Sequence, residues 1–278
     1  MTRKTRKLIF YLSVLVFLLM GTLILSFAFG FRYDFQNNRL IKTGSIVIKT
    51  NVSAKIYVDD KLEGETSFFS GTFSKKNLLP GKYSLKIQKN GYQTWQKSVM
   101  VEEGLISYFG NVFLPLNEPK EETLASREIL DEYLESLKLK VEVPAIFDLP
   151  EKGVVGFSVF SGESAVVWAT NHEIWILWSR NTDYQPIRKA GEKELVTRLS
   201  GNIKSVYWHK SGGYVFLRLG TKFIMLETDV RGGVNTYTLY DNLGVKDIVW
   251  YDSGLDKIFK YQNSNLPTGQ AGLFAVDL

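Results

Sequence analysis

The pattern of apolar and polar positions changes character several times along the chain. Leu8 to Phe31 is an unbroken apolar run, LIFYLSVLVFLLMGTLILSFAFGF, without a charged residue. As a helix its roughly 24 residues would span about 36 Å, enough to cross a hydrocarbon core of about 30 Å with some tilt. From Gly44 to Leu116 the pattern has the two-residue period of strands. Ile46 and Ile48 share a face, as do Ala54, Ile56 and Val58 against Lys55 and Tyr57. Tyr83, Leu85 and Ile87 alternate with polar residues, and Val99, Val101, Val112 and Leu114 continue the pattern. Turn chemistry punctuates it at Asp59-Asp60, Pro80-Gly81, Asn90-Gly91 and Glu103-Gly104. Short strands at this spacing predict a small β-sandwich.

Asn117 to Lys140 follows a different rule. Leu124, Leu130, Leu134 and Leu137 recur close to helical spacing, Pro119 suits a helix start, and Glu121 and Glu122 suit its N-terminal dipole. The prediction is a helix of about five turns, broken by Val141 to Pro144. From Val154 the chain is β-rich and weakly repetitive. NIKSVYWHKSGGYVFL, Asn202 to Leu217, echoes VKDIVWYDSGLDKIF, Val245 to Phe259, with a period of about 42 residues. Each copy continues into a strand ending in an acidic residue, KFIMLETD and GLFAVDL, and Phe157 to Trp178 reads as a diverged earlier copy.

Two resemblances follow from these residues. GSIVIKTNVSAKIYVDDKLEGETS, LLPGKYSLKIQKNGYQTW and VMVEEG, in that order, resemble a PEGA domain. Ala54 keeps the alanine of the name motif, while Asn51, Val52 and Ser53 depart from it. Asp59, Asp60 and Lys61 stand for D-G-K, and Gly64 and Thr66 match G-x-T with Ser67 in place of the proline. Leu79, Pro80, Gly81, Gly91 and Tyr92 also match. The C-terminal repeat resembles TolB-type and WD-like β-propellers in outline, without a W-D or G-H signature. It supplies about three blade units where closed propellers have at least four. Together the resemblances imply a bacterial, membrane-anchored cell-envelope protein.

The expected architecture is mainly β. A basic tail and transmembrane signal anchor occupy 1–31, a linker 32–43 and a PEGA-like β-sandwich 44–116. A helical connector follows over 117–152, then a partial or degenerate propeller-like β unit over 153–278.

Charge sharpens this picture. The formal net charge is +5, and Arg3, Lys4, Arg6 and Lys7 supply most of it ahead of the apolar run. By the positive-inside rule they flank the anchor on the cytoplasmic side and leave the bulk of the chain extracytoplasmic. The run is longer than a signal-peptide core, and Ala28-Phe29-Gly30 makes a poor cleavage site. Little net charge remains for the outer part, so no nucleic-acid partner is expected. Cysteine is absent, which removes disulfides, thiolate metal sites and cysteine nucleophiles.

Catalytic constellations are not legible. His172-Glu173 does not continue to H-E-x-x-H, SGESA at Ser161 to Ala165 lacks the second glycine of a nucleophile elbow, and no phosphate loop is present. His209 beside Trp208 reads as a structural histidine at a turn. Asp131, Glu132 and Glu135 read as a solvated face and not as metal ligands. Leu266-Pro267-Thr268-Gly269 lacks the tail of a sortase signal, and Asn51-Val52-Ser53 is a chance glycosylation triplet. No cofactor is expected.

The expectation is therefore a single-pass extracytoplasmic binding or scaffold protein, and not an enzyme. Its partners would be the lipid bilayer through Leu8–Phe31, an envelope protein or glycan, and a second copy by self-association. Tyr92, Trp95, Trp175 and Trp178 are the candidate contact residues, either as packing aromatics or as an exposed platform. The alternatives are a carboxylate-dependent hydrolase, favoured by a deep acidic pocket, and a spacer or input arm of a membrane signalling complex.

Overall fold

The structure is a computed structural model that describes residues 2–35, 38–124, 128–138, 144, 146–150, 152–262 and 272–277. It is mainly β with two α-helices. Helix α1, Arg3–Ala28, starts at Thr2, whose hydroxyl accepts the amide of Thr5 at 3.3 Å. Its mean hydropathy is 2.7 and none of it is buried in the protein. Strands β1, Phe31–Asp34, and β2, Arg39–Lys42, follow at once as an antiparallel hairpin. Residues 31–34 and 39–42, at and within the segment read as a linker, thus pair as strands.

The first module holds seven strands: β3 Gly44–Thr50, β4 Lys55–Val58, β5 Lys61–Glu65, β6 Thr72–Leu78, β7 Gly81–Gln88, β8 Trp95–Val101 and β9 Ile106–Val112. They form two sheets, β6-β3-β9 and β5-β4-β7-β8, antiparallel except where β3 runs parallel to β9. The inward positions of the alternation meet between them. Ile46, Ile48, Ile56, Leu85, Ile87 and Leu114 are fully buried in one cluster. Each such side chain contributes about 2 kcal/mol relative to exposure. The Asp59-Asp60 turn has positive φ at both residues, +50° and +62°, the requirement of a tight two-residue hairpin.

Strand β10, Lys120–Leu124, and helix α2, Glu128–Lys138, connect the modules. The five-turn helix is therefore shorter than its spacing predicted. Residues 120–124 pair instead with the far C-terminal strand, because an open strand edge offers backbone partners that local helix propensity cannot match. The helix break at 141–143 and the Leu266–Gly269 motif lie outside the described residues.

The second module consists of three four-stranded antiparallel sheets. The first contains β11 Gly156–Val159, β12 Ala165–Ala169, β13 Glu173–Trp178 and β14 Lys193–Arg198. The second contains β15 Ile203–Trp208, β16 Tyr214–Leu219, β17 Lys222–Glu227 and β18 Thr236–Tyr240. The third contains β19 Ile248–Asp252, β20 Lys257–Gln262 and β21 Gly272–Asp277, and β10 completes it beside β21 in the order β10-β21-β20-β19. Each sequence repeat is one sheet, and the strand missing from the third comes from the connector. Strand β15 packs against β11 and β19. Among the described residues the sheets do not close into a barrel. Helix α2 covers the third sheet, with Tyr133 stacked on Trp250 at 4.3 Å and bonded to the Tyr207 hydroxyl at 2.8 Å.

Candidate functional site

The residues with unusual chemistry converge where β8 of the first module meets the second sheet of the second. Strand β8 turns Trp95, Lys97, Val99 and Val101 inward. Lys97 is thus a cation on an apolar face, and its side chain is fully buried. Its ammonium lies 3.1 Å from the Glu227 carboxylate and 3.7 Å from that of Asp229, and it donates to the Asp229 carbonyl. Both acids sit at the end of β17, where the strand leaves the core. A buried lone charge costs several kcal/mol, so this pairing is required for the cation to be there at all.

Each carboxylate is saturated by protein donors. Glu227 accepts from the Trp95 indole at 3.2 Å, from the Asn235 side-chain amide at 2.8 Å and from the Asn235 backbone at 3.3 Å. Asp229 accepts the Arg231 backbone amide at 3.0 Å and a two-pronged guanidinium. Burial pushes Glu227 above its ordinary pKa, and Lys97 and Asn235 offset this only in part. Burial also pushes Asp229 up, but the Arg231 hydrogen bond and the Lys97 and Arg231 charges outweigh it and hold Asp229 below the usual range.

Arg231 extends the cluster. It donates to the Tyr108 carbonyl and to Gln185, both at 2.9 Å, and lies over the Phe109 ring at 4.5 Å. Gln185 pairs with the outer edge of β9 as a strand would. It accepts from the Tyr108 amide at 2.8 Å and donates to the Ile106 carbonyl at 2.7 Å. Along β8, the Ser98 amide donates to the Gly232 carbonyl at 3.3 Å and the Gln96 amide to Asn235 at 3.2 Å. Gly232 has φ +67°, and a Cβ there would lie 1.7 Å from the Ser98 carbonyl oxygen. The second module therefore covers two open edges of the first, the usual remedy for an exposed strand. Two cavities flank the junction. One of about 730 Å³ is lined by Met100, Leu105, Ile106 and Ile187 among others, and one of about 400 Å³ by Phe160, Trp178 and Arg188 among others.

The predicted contact aromatics divide. Trp95 and Trp178 are buried, so neither presents a surface platform. Trp95 instead ties the first core to Glu227, and Trp178 packs edge-on to Trp208 beneath the Arg188 guanidinium. Trp175 is half-buried, stacked on Trp168 and bonded to Glu173 at 2.9 Å. Tyr92 is half-buried against the first core, bridges to Leu116 and lies under Lys89. Arg3, Lys4, Arg6 and Lys7 are exposed on the first turns of α1. His209 is buried, accepts the Ser211 amide on Nδ1 and faces Asp256 at 3.6 Å from Nε2. Sequence reasoning missed Lys97, Glu227, Asp229, Arg231 and Gln185 as a group. The available signal was a lysine at the inward phase between Trp95 and Val99. Among the described residues, no group of three His, Asp or Glu side chains could hold a metal ion.

Fold and junction define a class: a chain with a long, unburied apolar helix followed by two β modules joined through a buried charge cluster. The PEGA domain family matches residues 43–106, which is the core of the first module. No curated protein matches the chain. Among solved structures, it is similar to a chain of the crystallised nidogen/laminin complex, at 14% identity and a TM-score of 0.32 over 42% of each chain. It is also similar to Hsv2 of Kluyveromyces lactis with its complete loop 6CD, at 12% identity and a TM-score of 0.30. That match covers 79% of this chain and 70% of the other. The chain spans 42% of the length of the first of these structures.

Proposed function

We propose that the chain is a membrane-anchored extracytoplasmic binding or scaffold protein of the cell envelope. Helix α1 is the single-pass anchor, with Arg3, Lys4, Arg6 and Lys7 on the cytoplasmic side. The PEGA module and a partial propeller present one joint surface to an envelope protein or glycan. The observation that carries this reading is the junction: Lys97, Glu227 and Asp229 are spent on holding two modules together. A carboxylate hydrolase would need one of the acids beside the 400 Å³ cavity free to move a proton, and Glu227 and Asp229 are both saturated. The reading therefore favours no enzymatic activity.

Topology tests the reading directly. Because the chain lacks cysteine, Thr5→Cys and Phe69→Cys each create a single reactive site. A membrane-impermeant maleimide applied to intact cells should label position 69 and spare position 5 until the membrane is opened. Labelling at 5 in intact cells, or release of Phe69→Cys protein into the medium without α1, would refute an anchored ectodomain.

A further inference from the structure

The junction between anchor and ectodomain is as tightly built as the junction between modules. The Gly30 carbonyl accepts both the backbone amide and the hydroxyl of Thr43, each at 2.8 Å. Arg32 donates to the Phe27 carbonyl at 3.0 Å and lies over the Phe27 ring at 3.9 Å. Gly30 has φ +82°, which lets the chain turn directly from α1 into β1. No free linker therefore separates the apolar helix from the first module.

The end of the first module nearest this turn is unusually apolar. The Ser45 amide donates to the Leu105 carbonyl at 3.0 Å, and the Lys42 amide to the Glu103 carboxylate at 2.8 Å. Two residues of chain reach at most about 7 Å, so Leu105 lies within about 15 Å of Gly30, two residues beyond the end of α1. Tyr33, Phe35 and Leu40 on the hairpin are exposed, Phe35 by 85%. Leu79, Met100, Leu105, Ile106 and Ile187 are each about half-exposed or more around the 730 Å³ cavity and its neighbouring turn. The charged residues on this end are mixed. Arg39, Lys42, Lys76 and Lys82 stand against Asp34, Glu102 and Glu103.

An aqueous surface seldom carries so large an apolar set in one place. Tyrosine, apolar side chains and flanking lysine or arginine are the composition that sits at a bilayer interface. We infer that this end of the ectodomain, hairpin and cavity rim together, rests in the headgroup and upper acyl region of the bilayer that α1 crosses. The occupant is lipid and not a protein partner, because the exposed residues follow directly on the apolar helix, from Phe29 into Tyr33 and Phe35, with no linker to carry them away from the bilayer that α1 crosses. The ectodomain is then held against the membrane at a fixed tilt, with its opposite end presented outward. The tip of that opposite end is Phe68-Phe69, beside Thr50, one strand length of about 20 Å from Gly44. This inference rests on the anchor reading of α1.

The test uses the full chain in vesicles of phosphatidylcholine and phosphatidylglycerol. Single cysteines Leu18→Cys, Phe35→Cys, Leu105→Cys and Phe69→Cys carry the same environment-sensitive dye. The dye at 35 and 105 should emit to the blue of the dye at 69 and be quenched several-fold more by lipids spin-labelled near the headgroup. Dye at 18 should respond to lipids labelled deep in the chain. If 18 is quenched in the core while 35 and 105 match 69, the interfacial docking is overturned and the anchor survives. If 18 is not quenched, the anchor reading itself fails. If 35 and 105 are shielded from aqueous iodide but not quenched by lipid, a second copy or other protein covers the face, which also overturns the inference.

Discussion

Lys97 decides how the two β modules behave, because a fully buried ammonium can exist only beside its carboxylates. Replacing it by methionine keeps much of the volume but strands Glu227. We expect Lys97→Met to cost about 3 kcal/mol at neutral pH, as read by chemical denaturation. The loss should shrink on acidification, since Glu227 already sits above its ordinary pKa and can be protonated once the cation is gone. The double variant with Glu227→Gln should recover part of it. His209 sets a second pH signature. Burial holds it down to about 4, with Asp256 opposing and Lys210 assisting, among the rings of Phe113, Tyr214, Phe216 and Tyr251. The unfolded histidine takes a proton below about 6.5, and the folded one only below about 4. Stability from this group is therefore complete above pH 6.5 and is lost, at about 1.4 kcal/mol per pH unit, as pH falls between those values. His209→Gln should flatten that slope; an unchanged slope would assign it to other groups. The alternation placed Lys97 on the inward face of β8, so its burial was readable, but its partners lie far along the chain at residues 227 and 229 and no local pattern links them.

At the scale of elements, short-range chemistry was legible and long-range pairing was not. Ala54, Ile56 and Val58 announce β4 by period, and Asp59-Asp60 announces its turn by tolerance of positive φ. Strand β10 announced nothing. Glu121 and Glu122 read as the acidic start of a helix, and only β21, paired with them through Glu121 to Val276 and Glu122 to Ala275, makes them a strand. The contact between β8 and the loop after β17 is equally non-local. It depends on Gly232, whose left-handed backbone brings its carbonyl to Ser98. Gly232→Ala adds strain at positive φ and a steric clash with the Ser98 carbonyl, so the loop must withdraw. Faster amide exchange at Gln96 and Ser98, with Leu85 to Ile87 still protected, is the expected result. Unchanged exchange at Ser98 would mean the edge pairing contributes little.

For the whole molecule, the junctions turn three separate predictions of the sequence, an anchor, a sandwich and a repeat unit, into one object. Arg32 and Thr43 fix the sandwich to α1, while Lys97, Gln185 and Arg231 fix the repeat unit to the sandwich. Of the aromatic residues that looked like a contact surface, Trp95 is consumed in the junction and Trp178 is buried within its own module. A body joined in this way is predicted to move as one unit and not to swing on a tether. The most direct test is a distance distribution from pulsed electron resonance between spin labels at Phe69→Cys in the first module and Leu255→Cys in the third sheet of the second. Both sites are exposed. A single narrow distance in the full-length protein is the predicted result. A broad or multi-peaked distribution would mean the modules move independently and would contradict the account.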